Sequence, residues 1–292
     1  MVRHLLDVAE LTDVDIDAVL DDVAGDGAVS RRDPFVVGLL FQTSSLRTRT
    51  GFAVAAARLG GTSVTVEDAR FSSGMSAAES FADTLRTLAG MVDLVVVRPQ
   101  DPLDREAVRT GSPVPVVNGG DPEGEHPTQA LIDVAAMHRF AGPLEELHVG
   151  ISGDLGMRGT RSLLHLLGRR PPRRLTLIAP PSRRDTGFPL SPELERRTDH
   201  RAGGDFAGLD VLHLGGLAPG QGPGHLDDDA RAPFALTPVT AGTLPEKAVV
   251  LSPMPVIDEI APELRADPRV RVFEQSDLGV RVRTAVLRLL LR

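Results

Sequence analysis

Short β-branched runs alternate along this chain with segments of helical periodicity. That alternation, more than any other feature, restricts it to a parallel α/β architecture. The runs are VTV (64–66), VDLVVVR (92–98) and VPVV (114–117) in the first half. The second half holds LHVGIS (147–152), LTLIA (175–179), VLHLG (211–215), AVVLS (248–252) and RVRVF (269–273). Helical patterns cover 48–59, 78–90, 126–140, 158–168 and 280–291. With 292 residues, 41% of them hydrophobic, there is material for two cores. FAGPLEEL (140–147) breaks the pattern of 126–140 ahead of a fresh strand, and the domain boundary is placed there. Residues 1–140 then form one domain, 141–276 a second, and 277–292 a C-terminal helix that packs back on the first. A Pro/Gly-rich stretch, LAPGQGPGH (217–225), reads as a mobile loop of the second domain.

Composition removes several classes of function. A net charge of −8 argues against a general nucleic-acid binder, and 3% aromatic residues without Trp or Tyr leave little for base stacking. With no cysteine there is no disulfide, thiolate metal site or cysteine nucleophile. No apolar run approaches the ~20 residues of a membrane span, and MVRHLLDVAELTD lacks the apolar core of a signal peptide. The expectation is a cytoplasmic protein. Lys247 is the single lysine.

SSLRTRTGF (44–52) gathers hydroxyl and guanidinium donors at a helix entrance. A helix N-terminus already presents unpaired N–H groups and a positive dipole end, so arginines there are disfavoured unless an anion joins them. Ser44 or Ser45 can cap this helix, with Arg47, Thr48 and Arg49 in its first turn. The alternative is a serine-capped helix with its arginines in solvent. In EHPTQALIDV (125–134), Pro127 suits the first helical position, and a capping box of His126 and Gln129 accounts for much of the pattern. The same two side chains can instead donate to a carbonyl or amide. LHVGISGDLGMRGTRSLL (147–164) is a strand, a glycine turn and a helix, but Ile151 breaks G-x-G-x-x-G and the next strand offers no ribose-binding acid. Arg158 and Arg161 become candidates for a substrate carboxylate, or simply a solvated helix start. LSPMPVIDEI (251–260) carries a strand into two close prolines, with a cis bond possible at Pro255.

Taken in order, these motifs resemble the aspartate/ornithine carbamoyltransferase family, the aspartate branch more closely. FQTSSLRTR resembles its F-x-x-x-S-T-R-T-R phosphate loop, VVVRPQ the arginine-bearing strand end and EHPTQALID the H-P-T-Q helix. GDLGMRGTRS and SPMPVIDEI match the G-D-L/V…R segment and the H-P-L-P-R-V-D-E-I loop. The resemblance implies two parallel-sheet α/β domains, one for carbamoyl phosphate and one for the amino acid, with an interdomain active-site cleft. It also implies a homotrimer with shared active sites. Ser45, Leu46 (through its backbone N–H), Arg47 and Thr48 would hold the phosphate. Arg98 and His126 would address the carbonyl oxygen, and Gln129 the amide nitrogen. Arg158 would serve the acceptor, and the backbone at Met254 and Pro255 would complete the pocket. Arg98, His126 and Thr48 carry the catalytic roles; neither metal nor cofactor is implied.

The sequence departs from this pattern on the acceptor side. The family lysine falls at Ala77 in RFSSGMSAAESFADT (70–84), where Arg70 or serines 72, 73 and 76 could compensate in part. The acceptor arginine and glutamine fall at Gly216 and Ala218. The histidine and arginine of H-P-L-P-R are Ser252 and Val256. The expectation is carbamoyl transfer from carbamoyl phosphate, or a similar phosphate-bearing anion, to an amine other than aspartate. The alternatives are a catalytically silent anion-binding paralogue and an aspartate enzyme with rearranged ligands.

Overall fold

The computed structural model describes residues 3–25, 33–67, 79–217 and 226–292. The chain divides into two compact units, one running to Leu131 and including Leu278–Arg292, the other Ile132–Asp277.

The first unit contains α1 (Asp13–Ala24), β1 (Val36–Phe41), α2 (Leu46–Arg58), β2 (Thr62–Glu67), α3 (Phe81–Ala89), β3 (Leu94–Arg98), α4 (Arg105–Gly111) and β4 (Val116–Asn118). Its sheet runs β2-β1-β3-β4, parallel throughout. Helix α5 (Pro127–Phe140) follows, and the first unit closes inside it at Leu131 rather than at its end near residue 140. Strand β1 was not among the expected strands. VVGLLF is an unbroken apolar run buried along nearly its whole length, and such a run carries no period-two signal. Leu40, Leu85, Val95, Val97, Val108 and Val116 form the core on one face of this sheet.

The second unit contains β5 (His148–Gly153), α6 (Arg158–Arg169), β6 (Arg174–Ile178), α7 (Pro192–Arg196), β7 (Thr198–Arg201), β8 (Val211–Gly216), α8 (Asp228–Arg231), α9 (Pro238–Ala241) and β9 (Val249–Leu251). Its sheet, also parallel, runs β7-β6-β5-β8-β9. Phe206, Leu209, Leu212, Leu214, Leu236 and Val250 are completely buried in its core. Two parallel α/β sheets are therefore present, as the alternation of runs implies.

RVRVF is not a strand. Only Val270 bridges to Val250, and α10 (Val272–Leu290) starts two residues later. The apparent alternation is two Arg–Val pairs, whereas buried Val272, Leu278, Val282, Ala285, Val286 and Leu289 recur at helical spacing over nineteen residues. The longer pattern prevails. Of the stretch read as a mobile loop, residues 218–225 lie outside the described residues. Among the described residues no helix is long and apolar enough to cross a membrane.

Candidate active site

In open parallel sheets ligands bind beyond the C-terminal strand ends, where strand order reverses. In the first unit that point lies between β1 and β3, which are neighbours while β2 sits on the far side of β1. Phe41 pairs with Arg98 at this edge, and Gln42 N donates to Arg98 O at 2.9 Å. The loop carrying TSSLRTR and the end of β3 are thus held side by side.

Helix α2 begins here with an unusual terminus. Ser45 occupies the N-cap, yet its hydroxyl accepts no backbone N–H. By contrast, Thr12, Ser80, Asp104 and Ser191 each accept one at the N-caps of α1, α3, α4 and α7. The first turn of α2 contains no acidic residue. Leu46 is 73% exposed, Arg47 is half-buried and Thr48 is buried. Burial pushes the Arg47 guanidinium below its ordinary value, since it is partly stripped of water. The expected serine cap is not formed.

Thr48, Arg98 and His126 come together around one turn, Gly119–Gly120, at the end of β4. A Cβ built on Gly119 would lie 3.4 Å from Thr48 Cγ2. One built on Gly120 would lie 2.5 Å from Arg98 Nη1 and 3.3 Å from His126 Cδ2. Gly120 has φ of 120°, so a side chain there meets both a backbone and a steric barrier. Arg98 donates from Nη1 to Gly119 O at 2.8 Å and from Nε to Thr43 Oγ1 at 3.2 Å, which fixes the plane of its fork. Buried Asn118 holds the turn, accepting from Gly120 N at 2.8 Å while donating to Leu6 O and Glu125 O. His126 is buried immediately before α5, with Thr128 Oγ1 at 3.4 Å from its Nδ1. Its carbonyl accepts from Gln129 N at 2.9 Å, placing Gln129 in the first helical turn. Asn118, Gly119 and Gly120 were not singled out from sequence, although NGG after a strand is a turn signal.

The remaining candidates lie in the second unit. Its order reverses between β5 and β8, where Asp154 N donates to Gly216 O at 2.9 Å. Arg158 is the first residue of α6, whose N-cap, Met157, supplies no side-chain acceptor. Met254 has φ of 55°, and the Met254–Pro255 bond is cis, as considered from the sequence. Ser252 Oγ donates to Glu259 at 2.9 Å, and Glu259 accepts from Ile257 N at 2.9 Å. Behind them lies a buried polar chain: Gln275 donates to Asp133 at 2.6 Å and accepts from Ser252 N at 2.9 Å, and His213 Nε2 lies 3.2 Å from Asp133. Val256 packs against the apolar core of this unit. A cavity of about 240 Å³ beyond β8 is lined by Gly216, Leu217, Arg231, Phe234, Thr237 and Glu259. Arg231, missed from sequence, reaches it from α8 and is paired with Asp228 and Asp258. Ala77, Arg70, serines 72, 73 and 76, and Ala218 lie outside the described residues.

Residues 3–139 match the family model described as aspartate/ornithine carbamoyltransferase, carbamoyl-P binding domain. The aspartate carbamoyltransferase catalytic subunit of Archaeoglobus fulgidus is 32% identical over 302 residues, covering 98% of each chain. That of Alkaliphilus oremlandii is 31% identical, over 99% of this chain and 91% of the relative. The crystal structure of aspartate transcarbamoylase from Trypanosoma cruzi in complex with carbamoyl phosphate superimposes with a TM-score of 0.83 at 26% identity, over 98% of this chain and 94% of that one. The catalytic subunit from M. jannaschii gives 0.81 at 25%, over 99% and 97%. The two-unit architecture and the near full-length relatives agree: this chain belongs to the aspartate/ornithine carbamoyltransferase family.

Proposed function

We propose that this protein transfers the carbamoyl group of carbamoyl phosphate to an amine other than aspartate. The observation that carries the donor half is the convergence of Thr48, Arg98 and His126 on Gly119–Gly120, beside the uncapped first turn of α2. A phosphate dianion fits that turn, because its oxygens would accept from the first-turn N–H groups, as a capping side-chain oxygen does elsewhere, and from Arg47. In this reading the amine nitrogen attacks the carbamoyl carbon and a C–N bond forms. The C–O bond to phosphate breaks, and the amine proton leaves with the departing phosphate. Charge grows on the carbonyl oxygen during attack, and Arg98 and His126 stabilise it at ~3 kcal/mol per donor. Ser45 and Leu46 complete the phosphate cradle, and Gln129 orients the amide.

The acceptor half supports a different amine. Gly216 stands where the resemblance places the arginine of the aspartate branch, and Val256, partly buried, packs against the core. Ser252 is committed to Glu259, and Arg231 already has two carboxylate partners. Arg158, Met254 and Pro255 remain as the second unit's contribution. A homotrimer with shared sites belongs to the same proposal. Phosphate release across a panel of amines, with carbamoyl phosphate as donor, tests it. Transfer to a non-aspartate amine, lowered about 10²- to 10³-fold in Arg98→Leu, is the expected result. N-carbamoyl-aspartate as the main product would overturn the acceptor assignment. Release that Arg98→Leu leaves unchanged would overturn the donor assignment.

A further inference from the structure

Arg283, on α10, is 3% exposed, and no carboxylate partners it among the described residues. Its Nε is buried without a hydrogen bond. The guanidinium lies over the Phe52 ring, with Cζ 5.6 Å from the centroid. It also presses on Gly51 so closely that a Cβ there would meet Nη1 at 2.7 Å. Gly51 follows Arg47 by one helical turn on the same face of α2. Two guanidinium groups therefore lie against neighbouring positions of one helix face, the inner one fully enclosed. Burial first, and the charge of Arg47 second, push Arg283 down to about 10, so it still carries its proton at neutral pH.

An enclosed cation facing another cation is an expensive arrangement, and the Phe52 face recovers only part of the cost. A doubly charged anion at the first turn of α2 would recover much more. We propose that Arg283 is a positioning residue of the phosphate site: a fixed positive charge behind α2 that repels Arg47 toward the anion and raises the affinity for a dianion without touching it. This deepens the reading above and rests on it.

The structure implies an unusual pairing of effects. Removing an unpaired buried charge should not weaken the ligand-free protein, yet it should weaken anion binding. Isothermal titration of inorganic phosphate into wild-type, Arg283→Met and Arg283→Lys proteins, with thermal unfolding of each in phosphate-free buffer, separates the two. The expected result is about tenfold weaker binding in Arg283→Met, with ligand-free unfolding at or above the wild-type temperature. Arg283→Lys should stay within about threefold of wild type. Arg283→Gln repeats the test should the methionine variant fail to fold. Wild-type binding that Arg283→Met or Arg283→Gln retains in full, or that Arg283→Lys loses as completely as they do, would overturn the proposal alone. Failure of the wild type to bind phosphate would instead remove the donor-site reading on which it stands.

Discussion

Gly120 is where the geometry leaves least freedom. Its φ of 120° excludes most side chains, and Arg98 Nη1 occupies the space a Cβ would need. Gly120→Ala should cost about 1–3 kcal/mol of stability and displace the Arg98 fork, so turnover should fall further than folding does. Denaturant unfolding alongside the transfer assay checks this; a variant with full activity would show that Arg98 needs no such restraint. Much of this site was legible as residues. SSLRTR, the arginine closing VVVR and the histidine of EHPTQ stand out because arginine is disfavoured at a helix N-terminus and out of character in an apolar strand, and histidine is not among the preferred N-caps. The glycines they surround were not legible, because a glycine shows only that a turn is permitted and not which side chains meet over it. Arg283 and Arg231 escaped for a related reason: arginines on helices usually face solvent, and only packing shows one enclosed and the other beside a cavity.

Elements were read best where two signals agreed. Strand β3 and helices α2, α5 and α6 follow directly from their runs and spacings, whereas β1 is all apolar and β7, reading TDHR, is an edge strand with hardly any apolar content. Strand β5 carries a prediction of its own. His148 at its start lies 2.7 Å from Thr176 on β6 and 2.9 Å from Gly208 O, and burial pushes its imidazole below the ordinary value of 6.5. The unfolded chain therefore binds this proton more readily. Stability from His148 is complete above pH 6.5 and declines as pH falls below it. His148→Gln should lower stability at pH 7.5 by roughly 1–3 kcal/mol and flatten the decline toward acid. Urea unfolding across a pH series measures both; an acid slope that the variant leaves unchanged would assign it to another group.

At the scale of the whole molecule, the proposed function draws on both units. The proposed donor residues lie at a four-stranded sheet in the first unit, and Gly216, Ser252 and Val256, where the sequence departs from the family pattern, lie in the second, beside a five-stranded one. Anion binding should accordingly stabilise the protein by mass action, about 2.7 kcal/mol at a hundredfold excess over the dissociation constant. Thermal unfolding with rising phosphate reads that increment, and a melting temperature indifferent to phosphate would deny the site a place in the folded state. The central claim is that the first turn of α2, with Arg47 and Arg98 beside it, holds the donor's dianion. Its most direct measurement is isothermal titration of carbamoyl phosphate into the wild-type protein and Arg47→Ala. Saturable binding below millimolar concentration, competed by phosphate and weakened at least tenfold in the variant, is the expected result; no heat at millimolar donor, or equal affinity in both proteins, would contradict it.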